Sequence, residues 1–132
     1  MQVERTHQVA QRAVDLARAV AFYRDTLGLP LIAVFDPPGL AFFDLGNVRL
    51  LIEREAPSAL LYLEVADIEA TYAALAASGV ETVDSPHLIF RDDAGTFGPA
   101  GTGEWMAFFR DSEGNLVGLV ERRPPNSQSS SG

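Results

Sequence analysis

The chemistry open to this chain is limited by a small set of reactive side chains. It has two histidines, His7 and His87, and no cysteine, which excludes disulfides, thiolate metal sites and cysteine nucleophiles. His87 lies in the segment DSPHLIF (84–90), where its imidazole can contact a ligand, act as a general base, or simply be held by the backbone. Glu64 and Glu53 are the other candidates for moving a proton.

An iron site of two histidines and one carboxylate would need both imidazoles together, beside Glu53, Glu64 or Glu121. His7 directly precedes Gln8 on a predicted strand, and neighbouring side chains on a strand point to opposite faces. We therefore do not expect this iron site.

Arg12 and Glu64 form a second candidate pair, because each lies three residues before an aspartate, Asp15 and Asp67. The guanidinium of Arg12 could bind a substrate carboxylate through two parallel hydrogen bonds. It could equally pair with Glu64 or another carboxylate, since a charge on a partly buried face needs a partner in either case.

These residues are positioned by an internal repeat. The segments AFFDLGNVRLLIER (41–54) and AFFRDSEGNLVGLVER (107–122) align closely once two residues are removed from the second. Upstream of each, an aspartate is placed to cap a helix with apolar residues at helical spacing, and a glycine follows where the helix should end. The helices are predicted after Asp15 and Asp67 and end near Gly28 and Gly79.

Each half therefore predicts the order β-α-β-β-β. The predicted fold class is α+β, with two tandem βαβββ modules forming a curved, partly closed mixed sheet and the helices outside. We expect one domain over residues 1–123, with module 1 at about 7–55, module 2 at about 59–122 and a flexible tail at 124–132. Alternation with period two predicts a strand ahead of each helix, with Leu61 and Leu63 on the face opposite Tyr62 and Glu64. Candidate strands after the helices lie at 30–35, 41–44, 48–54, 80–84, 86–91, 105–110 and 116–122.

The segments VDLARAVAFYRDTLGL (14–29) and WMAFFRDSEGNLVGLVE (105–121) resemble the vicinal oxygen chelate superfamily of glyoxalases, bleomycin-resistance proteins and extradiol dioxygenases. The resemblance covers about residues 7–123 and implies a ligand cleft between the modules. In metal-dependent members, four side chains in this cleft hold one divalent ion. Carried over, these positions are Gln8, Leu50, Leu60 and Gly118. Leucine and glycine side chains cannot ligate a metal, so no metal or other cofactor is expected, and a divalent metal is disfavoured.

The remaining cleft lining is predicted to be mainly apolar, which is usual for a small-molecule site. One phenylalanine of each pair, Phe42 or Phe43 and Phe108 or Phe109, should face inward, and Trp105 should cover the mouth. The segment 91–104 is either a lid or a plain connection. The expected ligand-binding residues are Gln8, Arg12, Leu50, Leu60, Tyr62, Glu64, His87, Trp105, Phe108 and Gly118.

Composition limits the partners. A net charge of −8 argues against nucleic acid and suits a cationic ligand, although an acidic surface can also serve solubility alone. No apolar run spans a membrane, and the N-terminal segment lacks a signal-peptide pattern, so a cytoplasmic protein is expected. The leading hypothesis is a metal-free, homodimeric small-molecule binding protein. The alternatives are a lyase, isomerase or dioxygenase of the same superfamily with a rearranged or absent metal site, and a scaffold protein without a working cavity.

Overall fold

The structure is a computed structural model that describes residues 1–125; beyond residue 125, the predicted flexible tail (124–132) lies outside the described residues. The chain divides into two compact units. Unit 1 comprises residues 1–60 together with the turn 111–115, and among the described residues unit 2 comprises 61–110 and 116–125.

Each unit contains one helix and an open four-stranded mixed sheet, which confirms the α+β class and the tandem βαβββ modules. Unit 1 has the strand order β1-β4-β3-β2 and unit 2 the equivalent order β5-β8-β7-β6. In each sheet the first strand pairs in parallel with the last, and the other pairs are antiparallel. The elements are β1 Gln8–Arg12, α1 Leu16–Ala21, β2 Leu31–Phe35, β3 Leu40–Asp44, β4 Arg49–Glu53, β5 Leu61–Glu64, α2 Ile68–Ala77, β6 Thr82–Asp92, β7 Thr102–Arg110 and β8 Leu116–Arg123.

The helix boundaries follow the predicted signals. Asp15 and Asp67 cap α1 and α2, accepting hydrogen bonds from the backbone amides of Arg18 at 3.0 Å and Ala70 at 3.1 Å. Gly28 and Gly79 have φ angles of 73° and 84°, which favour glycine where a helix ends. α1 continues into a π-helical turn at Phe22–Thr26, which the sequence pattern did not predict.

Two predicted boundaries were wrong. The strands predicted at 80–84 and 86–91 are one strand, β6, which contains several register shifts, and β7 begins three residues before the predicted Trp105. The connection expected at 91–104 is therefore shortened to 93–101 because both flanking strands extend into it.

In each unit, one face of the sheet packs against the helix, and we call the other the helix-free face. In unit 1, Phe43 on β3 contacts Tyr23 of the π-helical turn, with ring centroids 5.9 Å apart. In unit 2, the helix residues Ile68 and Leu75 are buried, as are Ala107 and Phe109 of β7 and Val117 and Leu119 of β8.

A buried polar chain explains why Gln11 interrupts the apolar alternation of β1. Gln11 is 0% exposed and its Nε2 donates to the Tyr23 hydroxyl at 3.4 Å. The Tyr23 hydroxyl in turn donates to Oδ2 of Asp111 at 2.7 Å. Asp111 belongs to the turn 111–115, so this chain fixes the turn to the helix side of unit 1.

Burial and the neighbouring carboxylate of Asp111 raise the pKa of Tyr23 well above its ordinary value. The folded protein therefore keeps a proton that the unfolded chain releases above about pH 10. The contribution of Tyr23 to the free energy of unfolding is complete below that pH and is lost as the pH rises further.

The free energy of unfolding should therefore fall with pH above about pH 10. We expect Tyr23→Phe to reduce this slope by up to about 1.4 kcal/mol per pH unit, because it removes the proton of the Tyr23 hydroxyl. Urea unfolding between pH 8 and pH 11 measures the slope, with Tyr72→Phe as the control; equal slopes for Tyr23→Phe and wild type would contradict the assignment.

Candidate functional site

The helix-free face of unit 2 carries most of the predicted ligand-binding side chains. Residues directly opposite one another on paired strands share a face. The strand pairing therefore forms three rows of side chains across this face. The first row contains Tyr62, Gly118, Phe108 and Asp84, and the second contains Glu64, Val120, Met106 and His87. The third row contains Arg122, Glu104 and Phe90.

Two aromatic rings meet over Gly118 in the first row. The Tyr62 and Phe108 rings are 6.0 Å apart and nearly perpendicular, at 78°. A Cβ atom at Gly118 would lie 2.8 Å from Cδ1 of Tyr62 and 3.1 Å from Cε1 of Phe108. Gly118 therefore leaves the space that the rings fill. We call Tyr62, Phe108 and Gly118 the aromatic platform, and Tyr62 in it is 50% exposed.

His87 and Glu64 lie in the second row, at opposite edges of the sheet. The Nδ1 atom of His87 lies 2.8 Å from the Ser85 carbonyl oxygen, and because a carbonyl only accepts, Nδ1 carries the proton in this contact. Its Nε2 atom is 3.9 Å from Oδ2 of Asp84, beyond hydrogen-bond distance. The imidazole is thus oriented by the backbone, with Nε2 available to a ligand.

A cavity of about 510 Å³ lies at the third row, lined by Phe90, Phe97, Glu104 and Arg122. The Phe90 and Phe97 rings are 6.1 Å apart, and Nη2 of Arg122 donates to the Phe97 carbonyl at 3.1 Å. Phe97 belongs to the turn 93–101, which is held by the buried carboxylate of Asp92. Hydrogen bonds from the amides of Phe97 and Thr96, both at 2.8 Å, lower the pKa of Asp92 below its ordinary value.

The helix-free face of unit 1 carries Gln8 and Arg12 on β1 beside Arg49 and Glu53 on β4. Gln8 Oε1 accepts two hydrogen bonds from Arg49, from Nη2 at 2.8 Å and Nε at 3.2 Å. The Arg49 guanidinium also lies 5.2 Å from the ring centre of Phe42. Arg12 is exposed and directly opposite Glu53.

The expectation that Leu50 shares a face with Gln8 was wrong. Leu50 pairs with Val9 and is 0% exposed on the helix side, whereas Leu51 lies on the face of Gln8. Gly46 lies three residues before the start of β4 at Arg49, whereas Gly114 lies two residues before the start of β8 at Leu116. Counting from the glycine of each turn therefore gives opposite faces in the two modules.

The expected position of Trp105 was also wrong. Trp105 lies inside β7 on the helix side, 9% exposed, with the Arg123 guanidinium 4.2 Å from its ring centre. Arg123 also bonds Glu69 of α2, which holds this ring against the helix. For the two phenylalanine pairs the structure selects one member each: Phe42 and Phe108 lie on the helix-free faces, and Phe43 and Phe109 are buried on the helix side.

The predicted site residues are thus divided between the units. Unit 1 contains Gln8, Arg12, Leu50 and Glu53 and ends at Leu60, which is 45% exposed, while unit 2 contains Tyr62, Glu64, His87, Trp105, Phe108 and Gly118. Sequence reasoning missed Arg49 and Met106. Strict alternation along β7 places Met106 on the face of Phe108, whereas alternation could not place Arg49 because Leu50 was assigned to the wrong face.

The four positions that hold a metal in metal-dependent members do not fit an ion here. The amide oxygen of Gln8 is bonded to a cation, Arg49, and Gly118 is covered by two rings. Leu60 offers no ligand atom, and neither Leu50 nor Leu51 does so at the remaining position.

One acidic cluster occurs within residues 1–125, formed by Asp67, Glu69 and Glu121. Its carboxylates serve the fold: Asp67 caps α2, Glu121 accepts from the Ile68 amide at 2.8 Å, and Arg123 bonds both glutamates. This cluster therefore gives no support for a metal site.

Two βαβββ modules with equivalent strand order define a paired-module α+β protein whose sheets each keep a helix-free face. The chain belongs to the Glyoxalase/Bleomycin resistance protein/Dioxygenase superfamily, whose sequence model matches residues 5–119. It is 29% identical to the uncharacterized protein YraH of Bacillus subtilis (strain 168), over 81% of this chain and 90% of that protein.

Solved structures share the fold. TnmS3, an antibiotic binding protein from Streptomyces sp. CB03234, superposes with a TM-score of 0.68 and 22% identity, covering 92% of this chain and 98% of that one. Lactoylglutathione lyase from Agrobacterium tumefaciens has a TM-score of 0.64 and 23% identity, covering 92% and 96%. Within residues 1–125, no helix is long and apolar enough to cross a membrane.

Proposed function

We propose that this protein binds an aromatic small molecule on the helix-free face of unit 2 and that binding needs no metal ion. The observation that carries the proposal is the aromatic platform. Tyr62 and Phe108 meet over Gly118, at a position that supplies a metal ligand in metal-dependent members of the superfamily. The half-exposed Tyr62 ring and the partly buried Phe108 ring beside it offer stacking and edge contacts to a planar ligand.

The surroundings of the platform favour a ligand that is also cationic. Three carboxylates, Glu64, Asp84 and Glu104, lie on the same face against two guanidinium groups, Arg110 and Arg122. The net charge of −8 draws cations toward the protein, and aromatic faces attract them at short range. An antibiotic binding protein among the structural relatives is consistent with this class of function.

The direct test uses isothermal titration calorimetry with two probes, 9-aminoacridine and metal-free bleomycin, in buffer that contains EDTA. We expect at least one probe to bind with one site per chain. Tyr62→Ala should weaken it about tenfold, because it removes half of the ring pair, whereas Tyr72→Ala on α2 should leave it unchanged. Binding that appears only after a divalent metal is added, or failure of both probes to bind, would contradict the proposal.

The alternative is a lyase, isomerase or dioxygenase, and one observation favours it. The Nε2 atom of His87 has no hydrogen-bond partner among the described residues and faces the same side of the sheet as Glu64, so either group could move a proton. Metal analysis of protein purified without chelator distinguishes the two functions. One equivalent of Zn, Ni, Mn or Fe per chain would favour the enzyme. The homodimer and the cytoplasmic location stay predictions.

A further inference from the structure

A cavity of about 520 Å³ in unit 1 has a basic lining, although the chain as a whole is acidic. It lies at one end of β1 and β4, and all of its lining residues belong to unit 1. Its lining residues are Arg5, His7, Asp44, Gly46, Asn47, Val48 and Arg49.

The two guanidinium groups of this cavity are held by neutral acceptors. Arg5 Nη1 donates to the Asn47 carbonyl at 2.6 Å, and Arg49 donates to the Gln8 amide oxygen at 2.8 Å. Arg49 Nη2 is also 3.1 Å from His7 Nε2; because a guanidinium only donates, that imidazole nitrogen accepts. The two arginines are therefore oriented without their charge being neutralised.

The carboxylates near the cavity do not cancel this charge. Within residues 1–125, the ion pairs closer than 4.0 Å include neither Arg5 nor Arg49. Asp44 is the one acidic lining residue, and its Oδ1 accepts from the Gly46 amide at 2.8 Å. Two guanidinium groups against one carboxylate leave the lining positive at neutral pH.

We propose that this cavity binds an oxyanion, the phosphate or carboxylate group of a small molecule, through Arg5 and Arg49. Planar guanidinium groups match the geometry of both anions and form charge-assisted hydrogen bonds with them. The contacts from Gln8 and His7 hold one edge of the Arg49 fork, and Nη1 remains to meet the anion. The assignment goes beyond the proposed function, since it concerns different residues of a different unit.

The test is a titration of ¹⁵N-labelled protein with inorganic phosphate and, in a separate experiment, with sodium acetate. ¹H–¹⁵N spectra are recorded at each anion concentration. The ionic strength is held constant, and a titration with sodium chloride serves as the reference. We expect saturable shifts of the Gly46 and Asn47 amides and the Arg49 side-chain Nε–H signal with one or both anions. Phosphate alone would identify a phosphate site, and acetate alone a carboxylate site. Arg49→Gln and Arg5→Gln should each weaken the response at least fivefold. Arg24→Gln, which removes an exposed arginine already paired with Asp25, is the matched control.

Arg5 lies in the segment before β1, so Arg5→Gln tests the site even if Arg49→Gln disturbs the strand. Shifts that grow linearly with every salt, or that are equal in wild type and both variants, would overturn the proposal. Because the aromatic probes report on unit 2, failure of anion binding and failure of probe binding are separate results.

Discussion

Asp111→Ala is expected to lower the free energy of unfolding by about 3 kcal/mol or more, because one buried carboxylate serves several donors. Its Oδ1 accepts from the amides of Glu113 and Asn115, each at 2.8 Å. Its Oδ2 accepts from the Asn115 side chain at 2.8 Å and from the Tyr23 hydroxyl at 2.7 Å. Alanine would leave these donors without an acceptor in a site where Tyr23 is fully buried. Urea unfolding measures the loss.

The repeat supplies a matched control in Asp44, the last residue of β3, which directly precedes the related turn of module 1. Asp44 is exposed and accepts from the Gly46 amide. Asp44→Ala should therefore cost less than about 1 kcal/mol. Similar losses for the two variants would show that the buried chain from Gln11 through Tyr23 to Asp111 contributes little.

Gly118→Ala should destabilise the protein by about 1–3 kcal/mol and weaken binding of an aromatic probe about tenfold, because the new methyl group occupies the space of two rings. Cδ1 of Tyr62 is the nearest atom, 2.8 Å from the added carbon. Tyr62 is half exposed and can swing outward, so we expect the variant to fold with the platform disrupted. Unfolding in urea and calorimetry with 9-aminoacridine measure the two effects.

A double-mutant cycle separates this steric cause from a backbone effect. In a Tyr62→Ala background the closest contact is gone, and Gly118→Ala should then cost at least 0.5 kcal/mol less than it does in wild type, a difference of about the size such cycles detect. An unchanged cost would mean that the rings do not account for the glycine.

The fold could be predicted because its signals are local. Asp15 and Asp67 lie at helix starts, Gly28 and Gly79 follow the helices, and alternation on β5 separates Leu61 and Leu63 from Tyr62 and Glu64. These signals depend on cap geometry and on the period of two in strands, which short sequence windows record.

The site was predicted less well because it depends on register. One residue of difference between two turns moved Leu50 to the opposite face, since a shift of one residue reverses every side chain on a strand. Trp105 was assigned to the start of a strand that begins earlier, at Thr102. The partners of Gln11 are remote in sequence, so no local pattern predicts why a polar residue is buried there.

The sequence shows that Gly118 and Gln8 stand at positions that hold metal ligands in metal-dependent members. It does not show which side chains contact these two residues. That two rings cover the glycine follows from the pairing of β5 and β7 with β8. That Arg49 bonds the Gln8 amide follows from the pairing of β1 with β4.

The most direct measurement is a titration of ¹⁵N-labelled protein with 9-aminoacridine in the presence of EDTA. A ¹H–¹⁵N spectrum is recorded at each concentration of the probe. The proposed function predicts saturable shifts concentrated at the amides of Tyr62, Phe108 and Gly118 and of their neighbours on β5, β7 and β8. Shifts that require an added divalent metal, or that cluster on residues outside this face, would contradict it.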